Sequence, residues 1–260
     1  MTEPLFLQER RQRIVDMLKR EGRVSVKALS EVLKVSEVTI RQDLRALEDE
    51  GVLERTYGGA MLRSTNLNPR ELAFDVRMHR APAEKERIGQ AAAALVQDGY
   101  SLAIDASSTT YAMTPHLKRY DGLTIVTNSL VIAQQFLDTP RIRVLLPGGR
   151  LRRDSISLVG EPDTLPDVNL NLGFFGARGV SYEEGITELN PEEADMKRAM
   201  MSRCRQVVIL ADGSKWGQVG PYTYTDRKRT DLILTSADAP AAMVEQFRSA
   251  GVQVELVEGT

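Results

Sequence analysis

Seven short runs of β-branched and aliphatic residues recur through the last two thirds of the chain: SLAID (101–105), LTIVT (123–127), IRVLL (142–146), LGFFG (172–176), QVVILA (206–211), DLILTS (231–236) and VQVELV (252–257). Stretches with helical character separate them, at 83–96, 109–117, 130–137, 191–202 and 239–250. Strands alternating with helices confine this region to an α/β architecture, a mostly parallel sheet covered on both faces. In open sheets of this kind ligands bind beyond the carboxyl ends of the strands. Those ends are therefore where chemistry is expected.

The first sixty residues follow a different rule. Leu7 to Glu21 carries Ile14, Val15 and Leu18 at helical spacing, Arg23–Val24 is extended, and Ser25 can cap a helix over Val26 to Leu33 whose apolar side is Ala28, Leu29, Val32 and Leu33. Lys34–Val35 makes a tight turn and Ser36 caps a third helix that runs to Gly51. VLERTYGGAML then reads as two short strands around Gly58–Gly59. Three helices and a hairpin make a winged helix-turn-helix. Residues 1–63 are thus expected to form one domain, 64–82 a connector without sustained periodicity, and 83–260 the α/β domain.

The third helix has oddly sorted charges, with arginines in its first half and Glu48, Asp49 and Glu50 at its end, where the helix dipole disfavours acids. At 100° per residue, Ile40, Leu44 and Leu47 fall in one narrow sector and Val38, Gln42 and Arg45 lie opposite, flanked by Thr39 and Arg41. A valine suits a thymine methyl, a glutamine adenine, and an arginine guanine, in the major groove. Because the N-terminal half of such a helix enters the groove, the acidic end points away from the phosphates. Ser36, Val38, Thr39, Arg41, Gln42 and Arg45, with Arg55 and Tyr57 on the hairpin, are the expected DNA contacts. The plainer alternative is protein–protein contact, with these arginines as a solvated face.

Bulk charge does not reveal a nucleic-acid partner, since the chain carries a net −2. No apolar run is long enough to span a bilayer. The N-terminal stretch lacks the order of a signal peptide, and a lone cysteine, Cys204, fits a reducing cytoplasm. Two scattered histidines offer no metal site, and no GxxxxGK[ST] segment occurs, so neither metal nor cofactor is expected.

Four strand ends carry polar residues. IDASSTT runs from a strand into a hydroxyl-rich turn where Ser107, Ser108, Thr109 and Thr110 can donate to a phosphate, or simply cap a helix. Asn128 in TNSL can bond a sugar hydroxyl or cap. PGGRLRR offers Gly148–Gly149 for close backbone approach and Arg152 to reach a ligand, or only a turn. LADGSKWG places Asp212 and Lys215 at a strand end, where a lysine balances a phosphate or lies on the surface. In NPEEADMK, Asn190 caps, Glu193 completes a capping box, and Glu193 and Lys197 are spaced for a surface ion pair.

The segment ERRQRIVDMLKREGRVSVKALSEVLKVSEVTIRQDLRALEDEGVLERTYGGAML, with its TIR-x-DL-x-x-LE-x-x-G core and following GGA, resembles the N-terminal signature of the DeoR family of bacterial transcriptional regulators. The ordered series DASSTT, TNSL, GG, FFGARGV, EADMK and LADGSKWG is similar to that family's sensor domain, so the resemblance covers nearly the whole chain. It implies a sensor fold like the ribose-phosphate isomerase group and a pocket lined by Asp105 to Thr110, Asn128, Gly148, Gly149, Glu193, Lys197, Asp212 and Lys215. It also implies a DNA-binding regulator, usually a repressor, of sugar metabolism, acting on double-stranded operator DNA as a homodimer or homotetramer under a phosphorylated sugar or related effector. Two positions depart from the pattern: Gln42 stands where arginine is usual, and Ser107 where the turn D-x-G-[ST]-T has glycine. The competing expectation is an isomerase on the same scaffold, with Asp105, Glu193 or Asp212 as general base and Lys215 on the phosphate.

Overall fold

The computed structural model describes residues 7–21, 23–49, 53–56, 58–62 and 74–258. The chain divides into two compact units, Met1–Arg80 and Ala81–Thr260.

The first unit contains α1 (Leu7–Glu21), β1 (Arg23–Ser25), α2 (Val26–Leu33), α3 (Glu37–Asp49), β2 (Leu53–Thr56), β3 (Gly59–Leu62) and α4 (Phe74–Met78). The strands form an antiparallel sheet in the order β1-β3-β2, the wing of a winged helix. A Cβ on Gly59 would lie 2.1 Å from the Val24 carbonyl oxygen, so β3 can close on β1 only with glycine there. Lys34 takes the left-handed conformation that ends α2 (φ 55°), and the Ser36 hydroxyl accepts the Thr39 N–H at 3.2 Å to start α3. Ile14, Leu18, Leu29, Leu33, Ile40, Leu44, Leu47 and Leu53 make the core. The apolar side expected of α2 needs correction: Val26, Leu29 and Leu33 are buried, whereas Ala28 is exposed and Val32 is 60% exposed. Eight residues fill only two turns, and the 3.6-residue period puts 26, 29 and 33 on one stripe. The segment expected as connector contains α4, which packs against α1; its residues 64–73 lie outside the described ones.

The second unit runs α5 (Pro82–Ala94), β4 (Ser101–Ile104), α6 (Ser108–Tyr111), α7 (Thr114–Leu117), β5 (Thr124–Thr127), α8 (Leu130–Gln134), β6 (Arg143–Leu145), β7 (Arg150–Arg152), β8 (Ser157–Val159), β9 (Leu170–Gly176), β10 (Gly179–Ser181), β11 (Gly185–Glu188), α9 (Pro191–Met201), β12 (Cys204–Ala211), β13 (Tyr222–Thr225), β14 (Leu232–Ser236), α10 (Ala241–Ser249) and β15 (Gln253–Val257). Seven strands pair in parallel in the order β15-β14-β12-β9-β4-β5-β6. Alternation along each strand splits the core in two. Leu102, Ile104, Leu172, Phe174, Val208 and Leu210 face Ile88, Met113, Leu117 and Ile132 on one side. Ala103, Phe175, Val207 and Ile209 face Met196, Met200, Val244 and Phe247 on the other. The stretch 109–117 is two short helices rather than one, because Pro115 at the start of α7 has no N–H to continue the first.

From β4 the chain steps outward to β5 and β6, then returns across β4 to β9 and steps outward the other way through β12, β14 and β15. The reversal leaves a crevice at the carboxyl ends of β4 and β9. Two elements that short, irregular sequence did not announce surround the strand ends: the hairpin β7–β8 and the antiparallel sheet β10-β11-β13.

Candidate functional site

On α3 the apolar sector is buried and the opposite side is open. Val38 is 62% exposed, Gln42, Arg41, Arg45 and Ser36 are exposed, and Thr39 is half-buried. Arg41 bonds Glu37 at 2.6 Å, one turn back and still in solvent. Arg55 is exposed on β2; Tyr57 lies outside the described residues. The acidic end of α3 has a local use. Glu48 accepts the Arg55 N–H at 3.1 Å and pairs with its side chain at 3.4 Å, tying helix to wing. Asp43, missed in the sequence, is 1% exposed on the inner side of α3. It receives Arg10 through Nε at 2.6 Å and Nη2 at 3.2 Å, and Arg11 Nε at 3.3 Å, so α1 grips the helix that carries the open face.

In the second unit the switch-point crevice is floored by a buried charge network. Lys197 Nζ lies 2.9 Å from Asp105 Oδ2 and 2.7 Å from Glu188 Oε2, donates to the Gly176 carbonyl at 2.7 Å, and sits 4.7 Å from the centre of the Tyr224 ring. Asp105 also accepts the Gly176 N–H at 2.9 Å, the Ser107 N–H at 3.1 Å and the Thr110 hydroxyl at 2.8 Å. Tyr224 donates to the Gly176 carbonyl at 2.7 Å. Burial opposes the Glu188 charge, but Lys197 and then Arg178 outweigh it and hold the carboxyl down to about 2. Burial likewise works against the Lys197 ammonium, and the Asp105 and Glu188 carboxylates overcome it and raise its pKa. Burial keeps the Tyr224 phenol protonated.

Glu193 and Lys197 are therefore no surface pair: both are buried and bond to different partners. Glu193 Oε1 accepts the hydroxyls of Ser155 and Ser157, each at 2.6 Å, and lies 3.8 Å from Arg152 Nε. Its carboxylate is thus drawn to the β7–β8 hairpin rather than back to close a capping box, while Asn190 still caps α9 through the Glu192 and Glu193 N–H groups. Arg152, also 3.6 Å from Asp154, is buried in the same cluster. Gly148 and Gly149 are exposed, and the close approach at Gly149 is to β8, where a Cβ would lie 2.5 Å from the Val159 carbonyl oxygen. Asn128 bonds Leu158 through its side chain at 3.3 Å. Asp212 accepts the Ser214 N–H at 3.1 Å, with Lys215 Nζ 3.9 Å away in the same turn.

The turn after β4 combines both earlier readings. Ser107 caps α6, its hydroxyl accepting the Thr110 N–H at 3.1 Å. Its φ of −89° is ordinary, so serine in place of the usual glycine strains nothing. Among the described residues the Ser108 and Thr109 hydroxyls meet no protein partner. Sequence reading did not reach Glu188, Tyr224, Ser155, Ser157, Gly176 or Arg178 as site residues; Arg178 and Gly176 lie within the FFGARGV run that carried the resemblance. Among the described residues no cluster of His, Cys, Asp and Glu could hold a metal ion, and no helix is long and apolar enough to cross a membrane.

A winged helix with a solvent-facing polar side, in one chain with an α/β unit whose polar residues converge on a switch-point crevice, defines a DNA-binding regulator with a small-molecule sensor. Residues 10–66 match the DeoR-like helix-turn-helix domain and residues 80–237 the DeoR C terminal sensor domain. The chain belongs to the DeoR family of transcriptional regulators, as the sequence resemblance indicated. It is 33% identical to the HTH-type transcriptional regulator GolR of Listeria innocua, over 98% of this chain and 100% of that one. It is 30% identical to the glycerol-3-phosphate regulon repressor of Escherichia coli, over 95% and 98%. Among solved structures, ribose 5-phosphate isomerase A of Methanocaldococcus jannaschii is similar at 15% identity and a TM-score of 0.38, over 51% of this chain and 53% of that one, too slight a likeness to bear on chemistry. The protein is a regulator and not an enzyme, and the isomerase alternative finds no support. Two of the carboxylates named as its base, Asp105 and Glu193, are already committed to internal bonds.

Proposed function

We propose that the protein is a cytoplasmic repressor of sugar or carbohydrate metabolism genes, working as a homodimer or homotetramer and released from its operator by a phosphorylated sugar or related intermediate. The observation that carries this reading is the α3 face, where Val38, Gln42 and Arg45 stand in solvent while Ile40, Leu44 and Leu47 hold the helix in place. Val38, Gln42 and Arg45 read bases, Thr39, Arg41, Ser36 and Arg55 contact the backbone, and a two-fold pair reads half-sites about 34–36 Å apart. The effector binds over the strand ends, its phosphate on the Ser107–Thr110 turn, with Asn128, Gly148, Gly149, Arg152, Glu193, Lys197, Asp212 and Lys215 lining or bracing the pocket. A relative named as the repressor of the glycerol-3-phosphate regulon supports target genes that handle phosphorylated intermediates. To act, the effector must bind the two DNA-affinity states unequally; a coupling of about 1–3 kcal/mol changes operator affinity roughly 5- to 150-fold.

The test is a mobility shift on the gene's own upstream DNA with a panel of sugar phosphates at several salt concentrations. A complex that weakens steeply with salt, as phosphate contacts release counterions, and dissociates with one phosphate ester is expected. Binding insensitive to salt sinks groove insertion, and binding strengthened by the ester reverses the sign of regulation.

A further inference from the structure

Arg178 lies two residues beyond the end of β9, at the switch point. Gly176, where β9 ends, gathers the crevice around itself: its N–H bonds Asp105, its carbonyl bonds Lys197 and Tyr224, and a Cβ there would lie 2.2 Å from the Ser107 hydroxyl oxygen. The Arg178 backbone N–H donates to the Thr187 carbonyl at 3.0 Å, which fixes where its side chain starts. That side chain is 15% exposed, mostly buried with its tip at the surface.

Arginine–carboxylate pairs are frequently bidentate, with two parallel N–H bonds. That of Arg178 is not. It touches Glu188 through Nε alone, at 3.3 Å, on an oxygen that also accepts the Leu189 N–H at 2.8 Å. The other Glu188 oxygen belongs to Lys197 at 2.7 Å. Among the described residues, the four Nη–H donors of Arg178 meet no protein acceptor. Asp105 and Glu188 already balance Lys197 and Arg178 in charge, so Glu188 does not repel an anion as an isolated carboxylate would. A pre-positioned planar fork with spare donors suits an oxyanion bound bidentately.

We propose that Arg178 receives an oxyanion of the effector, a phosphate ester or a carboxylate, at the mouth of the crevice between β4 and β9. This rests on the reading of that crevice as the effector site. Glu188 is the positioning residue: its single contact to Nε turns the guanidinium so that both Nη groups point out of the network.

Calorimetric titration of the full-length protein tests this with glucose 6-phosphate, fructose 6-phosphate, fructose 1,6-bisphosphate, ribose 5-phosphate, glycerol 3-phosphate, gluconate, 6-phosphogluconate and inorganic phosphate. Arg178→Met is expected to weaken the best wild-type ligand about tenfold or more, and Arg178→Lys, which keeps the charge beside Glu188 and the fold, several-fold. The double variant Arg178→Met with Glu188→Gln is expected to stay as weak as Arg178→Met. Recovery of wild-type affinity in the double variant would show that Arg178 serves only as counter-ion to Glu188, and undiminished affinity in Arg178→Lys would show that the fork is not used; either overturns the proposal. Wild-type binding to gluconate but to no phosphate ester, still lost in Arg178→Met, assigns Arg178 a carboxylate and discards the phosphorylated effector alone. No wild-type binding to any compound removes both.

Discussion

In the N-terminal unit the guanidiniums of Arg41 and Arg45 stand in solvent, and among the described residues Arg41 pairs with Glu37 on the same helix face. In the sensor unit Asp105, Glu188 and Lys197 are 1%, 5% and 3% exposed, and each is held by groups from distant parts of the chain. The first arrangement keeps charge available for a partner; an exposed pair of this kind contributes about 0–1 kcal/mol. The second consumes charge internally, where breaking a pair leaves an uncompensated ion away from water. A reading surface needs side chains that are free to bond elsewhere. A sensor pocket needs walls that do not rearrange for the wrong ligand.

The largest effect expected from this difference is at Lys197. Lys197→Met strands two buried carboxylates, and the sensor unit should lose about 3–5 kcal/mol in denaturant unfolding of the full chain. Adding Glu188→Gln should recover part of that loss. Glu188 also sets an acid limit. Its carboxyl is held at about 2 in the folded protein against an ordinary 4.5, so its stabilisation is complete above pH 4.5 and is lost as the pH falls toward 2. A wild-type stability profile flat across that window, or one unaltered by Glu188→Gln, would break the contrast between the units.

Asp43 is the exception inside the reading unit, a buried carboxylate that behaves like those of the sensor. Asp43→Ala leaves Arg10 and Arg11 without their shared acceptor and should cost about 1.5–3 kcal/mol. Operator affinity should fall for every sequence alike, because the whole helix loosens. Gln42→Ala should do the reverse: stability unchanged, and discrimination of about 1–3 kcal/mol lost at one operator base pair. Selection from randomised operators separates the two. A uniform loss in Gln42→Ala would remove that side chain from base reading.

The same contrast explains what the sequence revealed. The faces of α3 were legible because a helix places residues three and four apart side by side, so Ile40, Leu44 and Leu47 declare a core without knowledge of the rest of the chain. The seven parallel strands were legible from their apolar runs, although their ends moved by one or two residues. The crevice was only partly legible. Asp105 and Lys197 were found through an ordered resemblance, but their mutual contact crosses between β4 and α9, and Glu188 and Tyr224 reach it from strands of only four residues, too short to reveal which distant groups they meet. The spacing of Glu193 and Lys197 suggested an ordinary surface pair; tertiary packing buried both and supplied better partners.

Ser107 gives the smallest expected effect and the sharpest geometric check on the crevice. Its hydroxyl caps α6, and replacing a capping serine with glycine costs only a few tenths of a kcal/mol, since its φ of −89° asks nothing unusual of either residue. Ser107→Gly should therefore unfold almost as the wild type does. Gly176→Ala should not. Its new methyl would lie 2.2 Å from the Ser107 oxygen and 2.4 Å from the Ser107 Cβ, with Asp105 Oδ2 next at an ordinary 3.8 Å. The clash is thus with one side chain, and Ser107→Gly should restore most of the stability that Gly176→Ala removes. A double variant as unstable as Gly176→Ala alone would mean that the turn after β4 does not sit against the end of β9, and the crevice built on that contact would have to be redrawn.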